Sequence, residues 1–170
     1  MTATPGRRAT EACPCGFAGD REQACRCTPE QVRRYQLKVS GPLLDRVDLI
    51  VSMNRDGARP TGGDPRESSA EVRTRVAKAA ARQIQRGGCL NARLAGSGLR
   101  DQCRFDGRGE VLLEAASSRF ALSARAQDGV RRVARTLADL RGTDSIGTTE
   151  VAEAISLRAE RVLGAGSTVR

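Results

Sequence analysis

Cys13 and Cys15, followed by Cys25 and Cys27, set two C-x-C pairs on either side of a turn-rich loop containing Gly16 and Gly19. Four thiolates at this spacing can close a tetrahedral zinc site, although C-x-C bites more tightly than the commoner C-x-x-C. The alternative is four free cysteines. Cys89 and Cys103 lie far apart with no partner spacing and read as ordinary thiols. A catalytic cysteine is disfavoured, because the chain has six cysteines but no histidine to serve as their base.

The second chemical resource is arginine. Lys and Arg number 29 against 20 Asp and Glu, a formal net charge of +9, and nearly all the positive charge is arginine. Its planar fork pairs bidentately with phosphate oxygens, so nucleotide or nucleic acid is a natural partner class. The same charge equally well solvates a surface, and charge alone does not choose between the two.

These residues need elements to position them. Aromatic residues make up 2% and tryptophan is absent, so a core must come mostly from Leu, Val, Ile and Ala, which suits a mainly α fold. Residues 1–11 read as a disordered leader. Thr28-Pro29-Glu30-Gln31 has the form of a capping box with proline at the first helical position, predicting a helix to about Val39 that Gly41-Pro42 stops. Val47 to Val51 is a short β-branched run that reads as a buried strand without a partner in this chain.

Residues 54–67 are polar and rich in Gly, Pro and charge, and read as a loop. Ser68-Ser69-Ala70-Glu71 is a second capping box, opening a helix with Val72, Val76, Ala80 and Ile84 on its apolar side and Gly87-Gly88 at its end. Residues 68–108 are thus a connecting helix and loop. Residues 109–165 read as a three-helix module: Leu112, Leu113, Ala116 and Phe120 mark the first helix, and Ser123 caps a second carrying Val130, Val133, Leu137 and Leu140. Thr148 or Thr149 starts the third, with Val151, Ile155, Arg158 and Val162 on one face. Gly129 weakens the second helix by about 1 kcal/mol relative to alanine. Arg131, Arg132 and Arg135 read as a solvated face rather than a DNA-reading stripe. No stretch approaches the roughly eighteen apolar residues of a membrane span, and no signal-peptide core is visible, so a cytoplasmic protein is expected.

Taken in order, Cys13-Pro14-Cys15-Gly16, Thr28-Pro29-Glu30-Gln31, Ser40-Gly41-Pro42-Leu43-Leu44-Asp45-Arg46-Val47-Asp48-Leu49 and Glu67-Ser68-Ser69-Ala70 resemble the magnesium-chelatase-like, competence-related AAA+ ATPases. Leu90-Asn91-Ala92, Leu122-Ser123-Ala124-Arg125, Arg132 to Leu140 and Glu153 to Arg158 continue the pattern, so that it covers about residues 12–162. The resemblance implies a ring of subunits with ATP between neighbours, driving DNA strand exchange. It further implies that residues 12–53 are a cysteine-rich knuckle and the end of an AAA+ α/β core, with the lid bundle at 109–165.

By the same resemblance Arg46 matches the arginine finger that reaches a neighbour's γ-phosphate, where a permanent delocalised charge meets the charge of the transition state. On the residues alone Arg46 is a surface arginine paired with Asp45 or Asp48. Arg125 matches the second-sensor arginine at the start of a lid helix, and on the residues alone is an exposed helix arginine. The sequence departs from the family at Glu11, where a first-sensor asparagine is expected. It also contains no G-x-x-x-x-G-K-[ST] loop and no apolar strand ending in Asp-Glu, so nothing in it cradles the β- and γ-phosphates or anchors magnesium.

The resemblance therefore implies the C-terminal part of such an ATPase, not catalytic by itself. ATP and magnesium belong to the full-length family, other AAA+ ring subunits are the expected partners, and DNA is a candidate partner. The alternatives are a module that docks on a complete ring, or a small basic zinc-dependent DNA-binding protein.

Overall fold

Side-chain oxygens start four of the helices in the computed structural model, which describes residues 12–20, 22–51 and 67–164, with side chains to Arg158. The leader expected at 1–11, with Glu11, and the loop expected at 54–66 lie outside the described residues. Helix α1 (Pro29–Gln36) begins at Thr28, whose hydroxyl accepts from the Gln31 N–H while Gln31 accepts from the Thr28 N–H in return. The helix ends before Gly41-Pro42 as expected, though at Gln36 rather than about Val39, and Gly41 opens a new helical turn, α2 (Gly41–Asp45), because the Ser40 carbonyl accepts from the amides of both Leu43 and Leu44.

Helix α3 (Ser69–Gly87) opens on the reciprocal Ser68–Glu71 box and closes on Gly88, a left-handed residue with φ 69°. A 3-10 turn (Asn91–Arg93) and α4 (Gly96–Gln102) follow. Helix α5 (Gly107–Phe120) is capped by Asp106, α6 (Ala124–Arg141) by Ser123, and α7 spans Thr148–Gly164. Among the described residues there is no strand. A lone bridge between Phe105 and Ile146 ties the start of α5 to the α6–α7 connection. No helix among them is long and apolar enough to cross a membrane.

The described residues as far as Leu44 form one compact unit and those from Asp45 onward another. In the second unit α6 is central, packing against α3 and α7, with α5 lying on α7. Leu99, Leu113, Val130, Ala134 and Val151 are all buried and belong to one core. Each large aliphatic side chain removed from water contributes roughly 1.5–3 kcal/mol. The mainly helical class expected from composition is the class observed.

A polar cluster lies beside this core. Asn91, 1% exposed, donates from Nδ2 to Asp139 (2.8 Å) and to the Thr136 hydroxyl (3.1 Å), and its backbone N–H donates to Gln83 Oε1 (3.0 Å). Arg86 grips both carboxylate oxygens of Asp139 at 2.6 and 2.9 Å. This cluster decides which side of α3 turns inward. Ala79 and Gln83 are buried, whereas Val76 and Ile84, expected on the inner face, are about half exposed. Arg86 and Asn91 satisfy one buried carboxylate, with Gln83 holding the Asn91 backbone, only if the helix presents the Gln83–Arg86 side, and that requirement outweighs two aliphatic contacts.

Two further expectations change. The Val47–Val51 run is not a strand: Ile50 makes one backbone hydrogen bond, donating to Leu157 O at 2.9 Å, and Leu49 and Val51 are exposed. The arginines of α6 are not a solvated face either. Arg135, 2% exposed, donates to the carbonyls of Thr143 and Asp144 that follow the helix. Arg131 lies over the Phe105 ring and forks onto Glu110, and Arg132 donates to Leu94 O at 2.9 Å. All three staple loops and α5 to α6.

Candidate functional site

The first unit holds the cysteine cluster. Gly16 (φ 82°) and Gly19 (φ 84°) supply the left-handed turns that fold the loop back, and Asp20 ties its far side by accepting from the amides of Glu22 and Gln23. Cys13 is fully buried, and its sulfur accepts from the Ala18 N–H at 3.3 Å. The Sγ atoms of Cys13, Cys15 and Cys25 stand 3.4, 3.7 and 3.6 Å apart, and those of all four cysteines lie within 4.8 Å of one another. A tetrahedral zinc with Zn–S bonds of about 2.3 Å needs sulfurs about 3.8 Å apart, so the donor set fits such an ion.

The protons tell the same story. Backbone donors at Phe17 and Arg26 pull the Cys15 thiol down to about 6, while desolvation and hydrogen bonding with Cys15 and Cys13 push Cys27 up to about 12. Four thiols this close cannot all ionise without a cation, because each proton lost stacks charge on the same small volume. A dication reverses that order by rewarding every thiolate.

The second unit holds the two arginines singled out by the sequence. Arg46 and Arg125 are both exposed. They are 79 positions apart in the chain, yet a single contact brings their neighbourhoods together: the Ser123 hydroxyl donates to Asp45 Oδ1 at 2.8 Å. Ser123 also caps α6 through the Ala126 N–H at 3.1 Å, so one side chain fixes the start of the helix and the neighbour of Arg46. Arg125 occupies the first turn of α6, where the free backbone amides attract anions. The pairing of Arg46 with Asp45 or Asp48 is not formed. Those carboxylates face Arg158 instead, at 3.4 and 3.9 Å.

Arg158 and Gly129 are the residues whose part in this arrangement the sequence did not disclose. Both left a trace in it: an arginine in register with Val151 and Ile155 on a buried face, and a glycine in mid-helix.

Residues 66–158 match the family described as magnesium chelatase, subunit ChlI C-terminal, and residues 8–60 match magnesium chelatase, subunit ChlI. The chain belongs to this family. It is 37% identical over 136 residues to the competence protein ComM of Haemophilus influenzae, covering 79% of this chain and 27% of that protein. YifB of Escherichia coli is 40% identical over 136 residues, with the same coverage of both, and a Mycobacterium tuberculosis protein is 43% identical over 154 residues, covering 88% and 30%. The chain thus spans a little over a quarter of the length of these relatives.

Proposed function

We propose that this chain acts as the trans-contributing part of a magnesium-chelatase-like AAA+ assembly, presenting Arg46 to ATP held by a neighbouring subunit, with Arg125 in the second-sensor position of the lid. The observation that supports the reading is the Asp45–Ser123 side-chain hydrogen bond, which ties the residue before Arg46 to the cap of the helix that carries Arg125 although nothing in the local sequence requires it. A guanidinium beside a transferring γ-phosphate neutralises charge that develops only in the transition state. Residues 12–53 would then hold the knuckle and the end of the AAA+ core, residues 109–165 the lid, and Cys13, Cys15, Cys25 and Cys27 the ligands of a structural zinc. The cytoplasm is the compartment in which such thiolates stay reduced. The larger assembly's work would be ATP-driven DNA branch migration in uptake and recombination, with the chain alone turning over no ATP.

The test is complementation. A full-length YifB whose own arginine matching Arg46 is replaced by alanine should regain ATP turnover when mixed with this chain, and Arg46→Ala should abolish the rescue. Turnover of ATP by the isolated chain would sink the reading.

A second reading, a small zinc-dependent DNA-binding protein, draws on a groove of about 480 Å³ beside α3 lined by Arg75, Lys78, Arg82 and Arg141. It is the weaker one, because Arg75 is paired with Glu67 and Arg141 with Glu150 and Glu153, which leaves less charge for phosphates. Tight, salt-sensitive binding of duplex DNA without any partner would favour it.

A further inference from the structure

We propose that Arg158 is a positioning residue that latches residues 45–51 onto α6 and α7 and thereby fixes where Arg46 points. Its guanidinium is nearly closed off from water, its side chain 8% exposed. Nη1 donates to Val47 O at 2.7 Å, and Nη2 donates to Asp45 O at 3.0 Å and reaches Asp45 Oδ1 at 3.4 Å. The two accepting carbonyls belong to the residues on either side of Arg46. Its backbone is therefore pinned from both flanks while its side chain stays free.

Beyond the Ser123–Asp45 hydrogen bond at its start, little else holds the segment. It joins no sheet, its single backbone hydrogen bond to α7 is Ile50 N–H to Leu157 O, and Leu49 and Val51 leave about half of their surface in water. Apolar burial is limited to the partly buried Val47 and Ile50, and the buried guanidinium adds a stronger hold: removing the segment strands a desolvated charge, and removing the charge leaves two carbonyls unpaired. A lysine has one compact donor head and does not bridge the Asp45 and Val47 carbonyls as the planar fork does.

Gly129 completes the latch from α6. A Cβ there would stand 2.5 Å from Asp48 Oδ1 and 3.6 Å from Arg158 Nη1. Glycine in the middle of α6 weakens the helix, yet it opens the space in which the Asp48 carboxylate lies beside the guanidinium.

The consequence for Arg46 rests on the function proposed above; the latch itself does not, and two measurements separate them. The first is amide hydrogen exchange on the full chain. In Arg158→Met the peptide covering residues 45–51 should exchange roughly tenfold faster while α5 and α6 keep their protection, and Arg158→Lys should fall between that variant and the wild type. If Arg158→Met loses protection throughout the bundle, Gly129→Ala decides: it strengthens α6 but displaces Asp48, so faster exchange confined to 45–51 supports the latch. Unchanged exchange of that peptide in the informative variant overturns it.

The second measurement is rescue of the YifB variant described above. Arg158→Met should lower kcat about as much as Arg46→Ala with KM for ATP unchanged, and Arg158→Lys should restore part of it. Loss of rescue with Arg46→Ala but not with Arg158→Met overturns the positioning role. Full rescue by Arg46→Ala removes the function assigned to Arg46 and leaves the exchange result to judge the latch.

Discussion

The knuckle and the helical unit are held together by different means. In the knuckle α1 buries no residue, and among its described residues the only fully enclosed apolar side chain is the Cys13 thiol itself. Its order comes from two left-handed glycines, an aspartate-capped turn and four converging sulfurs. The helical unit has a continuous aliphatic core and a satisfied buried carboxylate beside it. A region without a core depends on whatever joins its sulfurs, whereas a region with one depends on packing and on keeping every buried charge paired.

Removing the metal should break this contrast most sharply. With zinc bound as proposed, chelation or the double change Cys25→Ser and Cys27→Ser should unfold the knuckle outright, since structural zinc contributes on the order of 10–16 kcal/mol in small modules. Metal analysis should fall from one zinc per chain to none. Hydrogen exchange should show α5, α6 and α7 unaffected, and equal loss in both regions would erase the distinction.

The next largest effect belongs to Asp139. Asp139→Ala should cost about 3–5 kcal/mol by denaturant unfolding, because it leaves Arg86, Arg135 and Asn91 without their shared acceptor. The same group makes the helical unit sensitive to acid. Burial pushes the Asp139 carboxyl up, but the hydrogen bonds from Arg86 and Asn91 outweigh it and hold it below the usual range. A carboxyl depressed by folding stabilises the unit fully above its unfolded value of about 3.9 and loses that contribution as the pH falls through the folded value. The Tm should therefore drop below about pH 4, and Asp139→Asn should lack that part of the acid dependence.

Smaller effects sharpen the comparison at its edges. Ser68→Ala removes the cap of α3 and should cost about 1 kcal/mol of the helical unit's stability, with the knuckle unchanged. Ile84→Lys, at a position half exposed on α3, should shift stability by no more than about 0.5 kcal/mol. A cost several times larger would mean that this stripe is covered when the protein is at work.

The helix starts were legible because capping is local. Thr28 with Gln31, Ser68 with Glu71, and Ser123 each bond amides within three residues, so the sequence carried the whole interaction. The clustering of Cys13, Cys15, Cys25 and Cys27 was legible for a similar reason: short spacings leave few ways to arrange four sulfurs. The inward face of α3 was not, since Val72, Val76, Ala80 and Ile84 form the better apolar stripe and the deciding acceptor, Asp139, lies more than fifty residues away. The roles of Arg131, Arg132 and Arg135 were hidden likewise, because a run of arginines on paper does not show which carbonyls will surround it.

The sequence by itself determined the helical class, the capped starts of α1, α3 and α6, the clustering of four cysteines and the family, all of which rest on contacts or patterns within a few residues of one another, whereas the short helices α2 and α4 were not read from it. Only the tertiary structure decided that residues 45–51 lie on α6 and α7 rather than in a sheet, and that Arg46 and Arg125 share a neighbourhood. Buried charge is satisfied by whatever acceptors the fold brings near, and Arg158 finds its acceptors more than a hundred positions away.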